Sequence, residues 1–453
     1  MNPEISQAIQ AKMRAGGVVG ATIDAFLAAV AKVAAGERGQ IPESTIEPVA
    51  ALPALESLPA AGGETGALLN QLAVIKLNGG LGTGMGLDRA KSLIRVKGGD
   101  TFLDFIAKQI LYLRTQGGAP NLAFYLMDSF STQADTLAYL QKYPALSRDG
   151  ELDFLQSKVP KLDAKTLLPV TWPAAPEMEW CPPGHGDLYP SLLGCGLLDR
   201  LLARGIKYLF VSNSDNLGAT VDGRLLSYFA ASGDSFLMEV ATRTAADRKG
   251  GHLARRREDG RLLLRESAQC PAADEAPFQD ITRHRFFNTN NIWIRLDHLR
   301  AELARRGGLL PLALITNSKT VDPRDPASPK VIQIESAMGA AIECFTAAGA
   351  VVVPRTRFAP VKTTSDLLAL RSDAYRLTED YSLVLEESRQ GQPPVIDLDS
   401  RHYKLVADFE AAFPHGAPSL VKCESLKVVG NKIFPANLVL EGKVEFVEKP
   451  AGA

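Results

Sequence analysis

Cysteine is scarce in this chain, and what there is does not organise. Five cysteines are spread over 453 residues, odd in number and never in C-x-x-C spacing. Neither a disulfide framework nor a zinc site follows from them, and a reducing compartment is the expectation. An excess of one charge is also missing. Fifty basic residues face fifty-one acidic ones, leaving a formal net charge of -1. No net field gathers nucleic acid or an anionic membrane, so a small partner is expected, with room for a local cationic cleft. No charge-free apolar run is long enough to cross a bilayer, and the residues after Met1 lack the basic and apolar regions of a leader. A soluble cytoplasmic protein is expected, free of nucleic acid and membrane. Its length exceeds one ordinary core and suggests two or three domains.

What is present is glycine, concentrated where it carries chemistry. Residues 73–77 form a short, β-branched apolar run that reads as a buried strand, and it empties into Gly79, Gly80, Gly82, Gly84 and Gly86, with Lys91 beyond. Such glycines let another group approach the backbone, where N–H donors can form an anion site. Phosphate is the natural ligand, against a flexible surface loop as the plainer alternative. Two familiar templates fail. Met85 falls where a dinucleotide loop needs its third glycine, and Lys91-Ser92 lacks the preceding glycine of a Walker loop.

Along the chain, 5–35 predicts two amphipathic helices broken at Gly16-Gly17, and the proline-rich 36–66 predicts a surface connector. Helices are predicted over 101–113, 134–140 and 192–202, and strands over 122–127, 208–211 and 236–240. Strand–helix–strand alternation argues for parallel pairing in an open α/β sheet with helices on both faces, which binds ligands beyond the carboxyl ends of its strands. The loops at 78–86, 127–129 and 213–216 would share that rim. Arg255, Arg256 and Arg257 read as a solvated hairpin face. In 286–294, Asn288, Asn290 and Asn291 suit either hydroxyl recognition or an Asn-rich turn. Residues 376–410 look mixed and partly helical. The segment 426–446 alternates apolar triplets with Gly and Asn at β-helix-like steps, enough for a small cap.

Two further segments carry chemistry. His185 lies between glycines in 180–189 and is expected to be exposed beside free backbone N–H groups. Lys362 precedes the hydroxyl cluster and Asp366 that read as the cap of a helix, a good setting for a phosphate neighbour.

Together the stretches 77–86 (LNGGLGTGMG), 182–187 (PPGHGD), 211–219 (VSNSDNLGA), 287–291 (FNTNN) and 357–366 (RFAPVKTTSD) resemble, in order, the UTP–glucose-1-phosphate uridylyltransferases of the eukaryotic type. The resemblance covers most of the chain from about Val74. It implies a Rossmann-like, GT-A-like nucleotidyltransferase sheet at 67–375, an N-terminal helical element and connector at 1–66, and a linker with a short left-handed β-helix at 376–453. It further implies that Leu77, Asn78, Gly79, Gly80, Lys91, Gln156, Gly184, Asp215 and Lys362 bind UTP. Gly79, Gly80, His185, Asn213, Ser214, Asp215, Asn288 and Asn290 would hold the sugar phosphate. Lys91 and Lys362 would be catalytic, and Asp215 would contact Mg²⁺, the implied cofactor. The implied reaction joins UTP and glucose 1-phosphate by in-line attack, with no nucleophilic residue, and a homo-oligomer could form through the C-terminal region. An N-acetylglucosamine or broad-range pyrophosphorylase, or a silent nucleotide-binding scaffold, stays open as an alternative. Three features depart from the family: Ala90 replaces the usual proline before Lys91, Asp128 an asparagine, and the C-terminal β-helix is short.

Overall fold

The structure, a computed structural model, describes residues 2–37, 39–148, 150–323 and 325–447. The chain divides into two compact units. Unit 1 comprises Met1–Ile75, Asp153–Val211 and Gly223–Val353, and unit 2 comprises Lys76–Leu152, Ser212–Asp222 and Pro354–Ala453.

Unit 1 is built on the strand Phe286–Arg295. It runs antiparallel to Tyr208–Asn213, with Tyr208 opposite Arg295 and Val211 opposite Ile292, and antiparallel to Phe236–Thr242. The latter strand is parallel to Ala348–Val352. The sheet is therefore mixed, with this last pair parallel. Near-continuous apolar sequence marks strands buried on both faces. Phe210 accordingly stacks on Trp293 at 4.4 Å between ring centroids, and both are fully buried.

The helices Pro3–Ala15 and Gly20–Ala34 are separated at the Gly16-Gly17 pair, where Gly17 takes φ +73°. Asn2 caps the first through its side-chain oxygen, which accepts the N–H of Glu4, and Pro3 opens it. Ile9, Met13, Ile23, Phe26, Val30 and Val33 pack with Val159, Leu162, Cys181, Leu314 and Ile334. These helices thus contribute to the core of unit 1. The connector is more than a surface wrap, since Ile46–Pro48 pairs antiparallel with His252–Arg256. In the hairpin that follows, Arg257 is exposed, but Arg256 bonds Asp259 and Glu343, so only part of that face is solvated. The helix predicted over 192–202 is two, Leu188–Gly194 and Leu197–Ala203, because Gly196 at φ +73° breaks it.

In unit 2 the helix Phe102–Thr115 begins with a capping box: Thr101 Oγ1 accepts the N–H of Asp104, and the Asp104 carboxylate accepts that of Thr101. Tyr139, Tyr143 and Lys142 also bond this carboxylate. The strand Ala123–Asp128 is buried throughout. Near the C-terminus, Val395–Leu398, Ser419–Val429 and Val439–Val447 form a parallel three-stranded sheet in that order, with Leu426 opposite Val444. Phe413 stacks on Phe434 at 4.4 Å behind it.

Candidate active site

Unit 2 holds the glycine loop. Strand Leu72–Asn78 ends inside it, and the Asn78 side-chain N–H₂ donates to Asp128 Oδ1 at 2.7 Å and Thr136 Oγ1 at 2.9 Å. Asn78 and Asp128 are both buried. The carboxylate that departs from the family pattern therefore faces the interior and anchors the start of the loop. Beyond it the chain turns through Thr83–Met85 and Gly86, at φ +80°, and comes back on itself. Gly82 N–H bonds the Arg89 carbonyl, and Lys91 N–H bonds that of Gly80. Ala90 lies between them at φ −52°, ψ 126°, within reach of the range that a proline ring imposes. Lys91 thus enters the site along a path close to the one proline would set.

The glycines differ in why they are there. A Cβ on Gly82 would strike Leu87, and one on Gly86 would meet Leu405. A Cβ on Gly80 or Gly84 would meet nothing within 4 Å among the described residues, and neither has a positive φ. Packing and backbone conformation do not by themselves require glycine at these two positions.

Lys91 Nζ meets Asp215 Oδ2 at 2.6 Å, with both side chains about one-fifth exposed. Asp215 sits in the loop after Tyr208–Asn213, beside Asn213 and the buried Ser214, whose N–H bonds the Leu77 carbonyl. Asn216 joins this loop to the segment leading to Lys362. Its amide donates to the Arg357 carbonyl at 3.1 Å and accepts the Ala359 N–H at 3.0 Å, while Val361 N–H bonds the Asp215 carbonyl. Lys362 is exposed. Its N–H and that of Thr363 both donate to Asp366 at 2.8 Å, which caps the helix Thr364–Arg371. Lys362, Gly84 and Met85 line one open cleft of about 580 Å³ with Ser400 and Lys404.

Unit 1 holds the remaining residues. Gln156 Nε2 donates to the Gly184 carbonyl at 2.9 Å. Gly184 has φ +80°, and a Cβ there would lie 2.4 Å from the Ser336 carbonyl oxygen, so this glycine is required by the fold itself. His185 is half-buried, not exposed as expected, because Ser336 to Met338 packs against its segment: Ser336 N–H bonds the Pro183 carbonyl, and Met338 N–H donates to His185 Nδ1 at 3.0 Å. An accepting Nδ1 puts the ring proton on Nε2. Burial lowers the imidazole pKa to about 4. Asp187 next to it accepts Ser157 N–H and Ser191 Oγ–H, while burial raises its pKa to about 6.

Asn288 and Asn290 lie at a bulge, where Asn291 pairs with Glu239 but Asn288 pairs with Val240. Asn290 takes φ +62°, and its N–H donates to Asn288 Oδ1 at 2.9 Å. The asparagines therefore form a bulge within a strand, with Asn288 buried and its Oδ1 engaged by the Asn290 N–H. The fully buried Glu239 holds the bulge by accepting from Asn291 Nδ2 and Trp293 Nε1. Glu239 and Asn216 were missed in the sequence. A lone acid in the apolar run 236–240, and an asparagine beside an expected site aspartate, were the available signals.

Open glycines behind a strand, a lysine paired with an aspartate and a second lysine at a capped helix start suit a phosphate-bearing ligand. The family model for UTP–glucose-1-phosphate uridylyltransferases matches residues 23–441. The chain belongs to that family. It is 44% identical over 380 residues to the enzyme of that name from Saccharomyces cerevisiae, covering 84% of this chain and 74% of the relative. A mutant UDP-glucose pyrophosphorylase from Leishmania major, solved in complex with UDP-glucose, has a TM-score of 0.93 and 51% identity, covering 99% of this chain and 96% of that one. A UDP-glucose phosphorylase from Trypanosoma brucei gives a TM-score of 0.90 at 52% identity, covering 98% and 94%. Among the described residues no helix is long and apolar enough to cross a membrane.

Proposed function

We propose that the chain transfers the uridylyl group of UTP to glucose 1-phosphate, giving UDP-glucose and pyrophosphate. A phosphate oxygen of glucose 1-phosphate attacks the α-phosphorus in line. The bond from that phosphorus to the bridging oxygen breaks, and pyrophosphate carries off the electron pair. Such a transfer asks the protein for positioning and charge neutralisation, not for a nucleophile. The observation that carries this reading is the Lys91–Asp215 pair at 2.6 Å behind a loop whose Gly80 and Gly84 have no internal reason to be glycine. Backbone from Leu77 to Gly80 takes the nucleotide, with Asn78 acting through its main chain because its amide is engaged with Asp128.

Lys91 and Lys362 meet the phosphates and stabilise the charge that grows on the leaving oxygens. Gln156 and Gly184 read uracil. His185 donates from Nε2 to the sugar phosphate, and Asn213, Ser214, Asn288 and Asn290 serve the sugar side. Among the described residues no three acidic, histidine or cysteine side chains gather around a metal position. A single carboxylate suits Mg²⁺, which keeps water and phosphate oxygens as its other ligands. Asp215 is the residue that would hold it, and the bound ion supplies further charge neutralisation at the phosphates. We read the three C-terminal parallel strands as coils of a short left-handed β-helix. Its outer strand Val439–Val447 has Val439 and Val447 exposed, and a homo-oligomer would form there.

Pyrophosphate release from UTP and glucose 1-phosphate with Mg²⁺ tests the reaction. Turnover with glucose 1-phosphate supports it, and a clear preference for N-acetylglucosamine 1-phosphate, or no turnover, overturns it.

A further inference from the structure

The strand that feeds the glycine loop is interrupted by one charged residue. Lys76 is 4% exposed and follows Val74 and Ile75, which are almost fully buried. Placing an amino group there is costly unless its hydrogen bonds are made, and an apolar residue would suit a buried strand better. Its contacts show what it does instead. Lys76 Nζ donates to Ser212 Oγ at 2.7 Å and to the Ala219 carbonyl at 2.6 Å. Those acceptors are the two ends of one loop, and that loop carries Asn213, Ser214 and Asp215.

Three other contacts fix the middle of the loop. Ser214 N–H bonds the Leu77 carbonyl, Asn216 bonds Arg357 and Ala359, and Asp215 holds Lys91. Gly218 packs so closely on Thr356 that a Cβ would lie 2.2 Å from its carbonyl oxygen, leaving the loop little room to re-form elsewhere. With both ends tied to one amino group, the Asp215 carboxylate is set by the buried strand as well as by Lys91, which it meets.

We infer that Lys76 is a positioning residue for uridylyl transfer, acting through the 212–219 loop on Asp215 and Lys91. It touches no substrate. The inference rests on the reaction proposed above, which the wild-type rate tests separately. A displacement of about 1 Å at a reacting group can lower the rate on the order of 10²-fold while leaving ground-state binding largely intact. The full chain carrying Lys76→Met keeps the length and apolar stem of the side chain and loses the donor. Its kcat is expected to fall roughly ten- to a hundredfold, with KM for both substrates within about threefold of wild type and cooperative thermal unfolding retained.

Because Lys76 acts through Asp215, the losses are expected not to add. Lys76→Met combined with Asp215→Ala should be slower than Asp215→Ala alone by no more than about threefold. A structural role alone would not give that coupling. Normal kcat in folded Lys76→Met, or losses that multiply in the double variant, overturns the inference. Should Lys76→Met fail to fold, Ser212→Ala removes one of the two ties at little cost in packing. A reduced kcat at unchanged KM then supports the assignment, and a normal kcat overturns it.

Discussion

Lys91 shows how much of this site is decided by single contacts. In the structure its ammonium is neutralised by Asp215 at 2.6 Å, about one-fifth exposed, so the pair adds little to stability. A triphosphate arriving at the loop offers more negative charge than one carboxylate, and the ammonium can turn to it without being newly desolvated. Lys91→Ala is therefore expected to lower kcat on the order of 10²- to 10³-fold with the melting temperature close to wild type. Lys362→Ala should do likewise, since Lys362 is exposed and its backbone, not its amine, is what Asp366 holds. Near-normal turnover by either folded variant removes that residue from the mechanism. His185 makes the opposite point. With Nδ1 accepting from Met338 and burial lowering the pKa to about 4, the ring is expected to be a neutral Nε2–H donor near neutral pH. The profile of kcat/KM for glucose 1-phosphate should keep the same shape in His185→Gln, since any limb at about 6 then belongs to the substrate phosphate. A limb there that vanishes in His185→Gln would mean that the imidazole titrates in the free enzyme.

The glycine loop was readable as an element, and its individual glycines were not. Five glycines behind a β-branched run announced close backbone approach. Sequence could not separate the ones that the fold needs from those that a ligand needs, because that depends on what lies opposite each Cα. Gly86 and Gly184 sit at φ +80°, whereas Gly80 and Gly84 need no special φ and face open space. Ala in place of Gly80 is thus expected to leave the melting temperature within a degree or two and to raise KM for UTP at least about tenfold. Ala in place of Gly184 should destabilise the protein by roughly 1–3 kcal/mol, since it combines a left-handed backbone with a clash against the Ser336 carbonyl. Equal melting temperatures for the two variants would refute that distinction.

The asparagine bulge was ambiguous for a similar reason. A sequence window holds Asn288 and Asn290 but not Glu239, whose buried carboxylate on the neighbouring strand decides how the bulge sits. The helix start marked by the hydroxyl cluster with Asp366 was local and therefore legible, and the helix beginning near Thr101 was legible from its apolar spacing. The break at Gly196 and the burial of His185 depend on φ and on distant chain, and the sequence alone did not give them up.

For the molecule as a whole, acid sensitivity is expected from a buried histidine pair one strand position from the asparagine bulge, His252 lying opposite Phe287. In unit 1, His252 and His284 stack at 3.9 Å, and both are buried. Desolvation is the main cause that takes His252 well below the usual range, and His284, Arg243 and Arg265 add repulsion. Desolvation also lowers His284, although its Nε2 lies 3.0 Å from Glu43 and that carboxylate pulls the other way. Between the unfolded value near 6.5 and the depressed folded values, the unfolded chain binds more protons than the folded one, so stability falls as pH falls. His185 adds to this trend, its stabilisation being fully present above about 6.5 and lost on the way down towards 4. Asp187 works against it, because a carboxyl raised to about 6 makes the folded state the better proton acceptor between the unfolded value and 6.

A difference between variants isolates the stacked pair from these opposing groups. Replacing His252 by phenylalanine keeps a ring against His284 and Phe278 and removes one group that must stay neutral. Going from about pH 7.5 to about pH 5, the wild type should lose more unfolding free energy than His252→Phe, by at most about 2 kcal/mol, the limit of one proton over about 1.5 pH units. Denaturant titrations at the two pH values measure it. Parallel losses in the two proteins would mean that His252 takes up its proton over the same pH range folded and unfolded, so that burial in the stack does not depress it.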